Sequence, residues 1–160
     1  MDRNYLKKYM VIIIMSLLRH YIKRTPLEFN MRLSELFGNS IYLKREDQQL
    51  TRSFKIRGVM NKILTHFKVS KDKGIICAST GNHAQAVAYC CHNFGIDGIV
   101  YIPKGTPQQK INMIKYYGKD NIRIVDDNKN FNESLNNAYE YSKKNNKFFI
   151  HPFNDRDVIK

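Results

Sequence analysis

From Ser53 onward the chain alternates between short apolar runs and longer stretches whose apolar residues recur at helical spacing. The apolar runs Gly74–Ala78, Gly98–Ile102, Asn121–Asp126 and Lys147–Ile150 have the length and β-branched content of buried strands. Between them, helices are predicted over 53–67, 82–94, 106–117 and 131–145, the first capped by Ser53 and the third opened by Pro107. Strands separated by ten-to-fifteen-residue helices predict βαβ units: an α/β fold with a parallel sheet covered by helices on both faces, three layers in all. Upstream, Ile41–Arg45 reads as one more strand, and Thr25-Pro26-Leu27 as a break, because the residue before a proline avoids the helical region.

The run Met10–Leu18 is the one membrane-like stretch, and it is too short to span a bilayer. Lys7-Lys8 before it mimic an export signal. No small-residue cleavage site follows, however, and Arg19, His20, Lys23 and Arg24 do, so it reads as an amphipathic helix packed on a domain. The 160-residue chain carries 27 Lys and Arg against 14 Asp and Glu, a net charge of +13. That balance raises a nucleic-acid-binding module as one reading. The cations are scattered and not interleaved with stacking aromatics, which argues against it. Cys77, Cys90 and Cys91 are odd in number and two are adjacent, so no disulfide framework is implied and the setting reads as cytoplasmic. Cys90, Cys91 and His92 lack zinc-ligand spacing, and no metal is expected.

Two segments carry candidate chemistry. In Arg52-Ser53-Phe54-Lys55-Ile56-Arg57-Gly58 a lysine opens a helix beside an aromatic ring and a second cation. The helix dipole and Arg57 both disfavour an ammonium there, which is the setting of a nucleophilic amine, although in isolation, among 27 Lys and Arg, the run reads first as a solvated surface lysine. After the strand ending at Ala78, Ser79-Thr80-Gly81 makes a small turn whose backbone N–H groups and following helix dipole suit a carboxylate or phosphate, and Asn82 adds an uncharged donor. A plain strand-to-helix turn is the structural alternative. Arg45 and Asp47 are read as bracing the strand beside the site. His20, His66 and His151 have no evident partners, and Phe148, Phe149 and Phe153 read as core.

Lys44-Arg45-Glu46-Asp47, Ser53–Gly58 and Ser79–Gln85 together resemble the successive signatures of the threonine/serine dehydratase family, within the tryptophan-synthase-β-like pyridoxal-phosphate enzymes. Thr25-Pro26-Leu27, Pro103–Pro107 with Lys110, and His151–Asp155 extend the resemblance over about residues 20–160. Arg52, where many relatives carry glycine, looks closest to the biosynthetic threonine deaminases. The resemblance implies that Lys55 is the Schiff-base lysine of pyridoxal 5'-phosphate, that Phe54 lines the cofactor ring and that Asn82 holds its phenolic oxygen. Ser79, Thr80, Gly81 and His83 would grip the substrate carboxylate. It implies a lyase that dehydrates and deaminates L-threonine, or L-serine, to 2-oxobutanoate, or pyruvate, and ammonia, as in isoleucine biosynthesis, and a homo-oligomer in the full enzyme.

By the same resemblance, residues 1–52 belong to a larger domain, 53–147 form a smaller α/β domain, and 148–160 return toward the larger one. Family members continue past this point with a glycine-rich phosphate cradle, and the eight glycines here are dispersed. A catalytically inactive remnant, or a half-enzyme that depends on a partner, is therefore the alternative reading.

Overall fold

Alternate residues of the central strands face opposite sides of one sheet, and each side is covered by helices. The computed structural model describes residues 3–159, with side chains from Ile12 onward. Strands β3 (Ile75–Ala78), β4 (Gly98–Pro103), β5 (Ile122–Asn128) and β6 (Phe148–Phe149) form a four-stranded parallel sheet in the order β5-β4-β3-β6. Ile75, Cys77, Val100 and Ile102 point toward the helices α3 (Lys55–Thr65), α5 (Asn82–Phe94) and α6 (Gln108–Gly118). Ile76, Ala78, Ile99 and Tyr101 point the other way, onto Ala138 of α7 (Phe131–Lys144). This is the three-layer α/β architecture expected, and the period-two alternation of a sheet buried on both faces explains why its strands read as unbroken apolar runs.

The principal core lies on the α3/α5 side. Ile56, Val59, Met60 and Ile63 of α3 are fully buried against Val87, Cys90 and Cys91 of α5. Burial pushes the Cys77 thiol up to about 12 and moves Cys90 and Cys91 the same way, so all three behave as small apolar residues.

Several boundaries differ from the sequence reading. The predicted helix 53–67 is two helices, α3 and α4 (Phe67–Lys73), broken at His66, whose φ of −118° and ψ of 34° leave the helical region. Phe54 occupies the cap position of α3; Ser53 Oγ instead accepts a long 3.4 Å hydrogen bond from the Lys55 N–H. Pro107 lies one position ahead of α6, not inside its first turn. The break at Pro26 leads straight into a strand, β1 (Leu27–Phe29), which pairs antiparallel with β2 (Tyr42–Lys44) around α2 (Met31–Phe37). Both strands are short and exposed, so no alternation marks β1 as a strand.

The N-terminal helix α1 runs Arg3–Tyr21. Leu18 and Tyr21, with the following Ile22, pack on the main core, whereas Ile12, Ile13, Met15 and Leu17 stand exposed. Within Met10–Leu18 the helix is as expected, but of the described side chains only Leu18 packs on the core, so the expected burial of an apolar face is not met along the run; the side chains of Met10 and Val11 lie outside the described residues. Among the described residues no helix is long and apolar enough to cross a membrane.

Candidate functional site

Lys55 is the first residue of α3, so its position follows from where that helix starts. Two polar clusters set that start. Glu46 accepts from the Arg57 guanidinium at 2.9 and 2.7 Å and from the Thr25 hydroxyl at 2.5 Å. The buried Gln49 side chain exchanges two hydrogen bonds with the Lys23 backbone, at 3.0 and 2.9 Å. Together they tie segments 23–25 and 46–49 to the first turn of α3. Arg57 holds the Glu46 carboxyl below the usual carboxylate range. The second cation expected to act on Lys55 is therefore engaged elsewhere, in an ion pair with Glu46.

The Lys55 side chain enters a cleft of about 1430 Å³ bounded by α1, α3 and the C-terminal segment, with Phe54 and Phe153 among its walls. Its Nζ donates to the Pro152 carbonyl at 2.9 Å and stands 5.2 Å from the Phe54 ring centroid and 5.5 Å from that of Phe153. Phe153 is 62% exposed, which corrects its reading as core; Phe148 and Phe149 do pack against the two apolar clusters.

The C-terminal segment that supplies Pro152 is itself clamped to α3. Helix α8 (Arg156–Ile159) follows it, and Lys62 Nζ lies 2.9 Å from Asp155 with both side chains largely buried. Asn61 donates to the Asp157 carbonyl at 2.8 Å, and His66 Nε2 lies 2.9 Å from the Asp157 carboxylate. Gly58 allows this approach, since a Cβ there would run into the Val158 backbone carbonyl. His66 thus has a partner that the sequence alone does not show, and so does His151, whose Nδ1 accepts from the Phe153 and Asn154 N–H groups. Arg45 and Asp47 pair as the bracing reading expected, and Arg45 also reaches Glu28 on β1.

The second motif forms the β3–α5 connection. Ser79 N–H donates to the Tyr101 carbonyl at 3.2 Å, and Ser79 Oγ accepts from the Gly81 N–H at 3.2 Å. Gly81 occupies the cap position of α5 with no side-chain cap, and the space where its Cβ would point is open. The first-turn N–H groups of α5 are the kind of donor set that receives an anion. Thr80 is half-buried, and Asn82, the first residue of α5, is exposed.

His83 turns the other way. It is 3% exposed, its Nε2 lies 3.2 Å from the Ile150 carbonyl, and its Nδ1 has no partner. Burial pushes it down to about 4, with the nearby positive charge of Lys55 adding to the effect. A neutral ring with its proton on Nε2, donated to Ile150, satisfies that geometry. His83 is therefore a buried strut and offers no charge to a ligand. Residues 79–83 do not line the Lys55 cleft. The structure joins the two motifs through the segment that follows β6 instead, Lys55 on Pro152 and His83 on Ile150.

The chain is similar to the biosynthetic L-threonine dehydratase of Halalkalibacterium halodurans, 42% identical over 149 residues that make up 93% of this chain and 36% of that relative. The corresponding Bacillus subtilis protein is 43% identical over 135 residues, 84% of this chain and 32% of the relative. The chain thus spans about a third of the length of these curated relatives. In three dimensions it matches the processed form of threonine deaminase isoform 2 from Solanum lycopersicum with a TM-score of 0.82 at 36% identity, covering 99% of this chain and 46% of that one. Maize serine racemase matches with a TM-score of 0.80 at 28% identity, over 94% of this chain and 45% of that one. Residues 18–160 match the family described as pyridoxal-phosphate dependent enzyme, and with nearly the whole chain inside that match, it belongs to the pyridoxal-phosphate-dependent enzymes.

Proposed function

We propose that this chain is the lysine-bearing part of a pyridoxal-phosphate-dependent threonine dehydratase, a lyase that converts L-threonine to 2-oxobutanoate and ammonia. One observation carries the reading: Lys55 Nζ sits in a cleft between two aromatic rings, tied through the segment after β6 to a helix N-terminus that lacks a side-chain cap. Lys55 and Phe54, which line the cleft, fit the ring half of the cofactor. Lys55 would hold it covalently, Phe54 would flank its ring, and the exposed Asn82 amide would meet its ring oxygen. The phosphate half needs a cradle of backbone N–H groups, and no glycine-rich stretch of this chain supplies one.

When bound, the cofactor supplies an electron sink for charge developing at the substrate Cα. The chain's own residues do the rest. Ser79, Thr80 and Gly81, at the head of α5, receive the substrate carboxylate. His83 fixes that loop against the return strand while remaining neutral. Freed once the substrate amine takes its place, Lys55 Nζ would take the Cα proton as general base and pass it to the β-hydroxyl, which would leave as water. L-Serine, giving pyruvate, is the neighbouring substrate, since a pocket for one methyl separates the two by only about 1–3 kcal/mol.

We further assign residues 1–52 and 148–160 to a larger domain and 53–147 to the smaller one. The exposed apolar side chains Leu27, Phe29, Met31, Leu36, Phe37 and Tyr42 around β1, β2 and α2 support that division. On this reading the 160 residues bind cofactor through Lys55 but need the rest of the larger domain to turn over threonine, as part of a homo-oligomeric enzyme. A cytoplasmic setting rests on three free, buried thiols.

The test is direct. The purified chain is mixed with pyridoxal phosphate, reduced with borohydride, digested and weighed. The expected result is a phosphopyridoxyl mass on the Lys55 peptide, absent in Lys55→Ala. Labelling spread over surface lysines with none favoured at Lys55 would overturn the assignment.

A further inference from the structure

We propose that His151 is a positioning residue that builds a resting dock for the Lys55 amine. His151 Nδ1 accepts from two backbone N–H groups, Phe153 at 3.1 Å and Asn154 at 2.8 Å. An imidazole nitrogen that accepts carries a lone pair, so the ring proton resides on Nε2. The turn 151–154 is thereby closed by a side chain, in the manner of an Asx turn.

That closure fixes two groups at once. It aims the Pro152 carbonyl at Lys55, 2.9 Å from Nζ. It also sets the Phe153 ring, which meets the His151 ring edge-on at 6.2 Å, beside the same ammonium. With Phe54 contributing the other ring, the cation is held by one charge-assisted hydrogen bond and two aromatic contacts. The His151 ring is in turn braced by Phe149 of β6, 6.0 Å away, so the dock is anchored to the sheet. A docked ammonium is not a nucleophile. The dock therefore holds Lys55 in one place and out of reaction until a ligand in the cleft displaces it.

This inference rests on Lys55 being the reacting amine, and its test needs no cofactor. The full chain is reductively methylated with formaldehyde and cyanoborohydride at neutral pH, and the modification rate of each lysine is read by peptide mass. In His151→Ala the Lys55 rate is expected to rise about tenfold, the loss of one hydrogen bond to a charged group, with other lysines unchanged. In His151→Asn, whose side-chain oxygen can accept the same two N–H groups, the rate is expected to stay at the wild-type value. Phe153→Leu keeps the turn and removes one ring from an exposed position; an increase of about threefold is expected there even if His151→Ala does not fold. Unchanged Lys55 rates in both His151→Ala and Phe153→Leu would overturn the dock, as would equal acceleration in His151→Ala and His151→Asn. If the dock behaves as expected while pyridoxal phosphate fails to label Lys55, the functional assignment falls and the dock stands.

Discussion

Arg57 and Glu46 form a two-point ion pair, Nε and Nη2 of the guanidinium to the two carboxylate oxygens at 2.9 and 2.7 Å, which joins the first turn of α3 to the segment that precedes it. The Glu46 side chain is only 17% exposed and also takes the Thr25 hydroxyl, so it carries three hydrogen bonds. Glu46→Ala leaves the Arg57 side chain and Thr25 without their shared acceptor and is expected to cost about 2 kcal/mol in urea unfolding. Arg57→Ala should cost less, because the Arg57 side chain is 39% exposed and Glu46 keeps Thr25. A double-mutant cycle that returns additive losses would show that the pair is not coupled.

Arg52 has φ of +55°, left-handed backbone in a residue with a Cβ. It lies in the turn that delivers Ser53 and Lys55 to α3, and its side chain is exposed. Arg52→Gly relieves about 1–2 kcal/mol of local conformational cost and gives back about half of that through a freer unfolded chain. The expected net change is a gain of roughly 0.5–1 kcal/mol in the unfolding midpoint measurement. A loss of stability would mean that the arginine side chain makes a compensating contact.

The central sheet was legible because strands buried on both faces are written as apolar runs, and Ile75–Ala78 and Gly98–Ile102 leave no competing pattern. The ribbon was only half legible: Tyr42–Lys44 falls within the run read as a strand, whereas Leu27–Phe29, three exposed residues directly after Pro26, carries no alternation to mark it. Lys55, Asn82 and the Ser79–Gly81 turn could be picked out as motifs, each at a helix start. What joins them could not. The contact of Lys55 with Pro152 spans 97 positions and that of His83 with Ile150 spans 67, and both end on backbone carbonyls, which carry no residue-type signal. His151 was overlooked for the same reason: its partners are main-chain N–H groups.

Gly58 is where α8 rests on α3, with the Val158 carbonyl lying where a Cβ would stand. Gly58→Ala keeps α3 helical, as alanine favours, yet must push α8 outward. Overpacking of this kind costs about 1–3 kcal/mol. Amide exchange should speed at 155–159 before it changes in the β3 and β4 strands. Uniform acceleration across the sheet would show that α8 is not a separable element.

His83 gives the fold a dependence on pH whose sign follows from its burial. Its pKa falls from an unfolded value of 6.5 to about 4 in the folded chain. The unfolded chain therefore binds more protons between those values, and stability is fully present above about pH 6.5 and is lost as pH falls toward 4. The full loss is about 3 kcal/mol, an upper figure for a group this buried. Glu46 acts lower: its carboxyl is depressed by Arg57, so its contribution disappears only as pH falls below its unfolded value of 4.5. Urea midpoints measured from pH 7 to pH 4 should decline in wild type and stay nearly flat in His83→Gln, whose amide can still donate to the Ile150 carbonyl. A wild-type midpoint that does not move across that range would mean that the ring is charged, or solvated, in the folded chain.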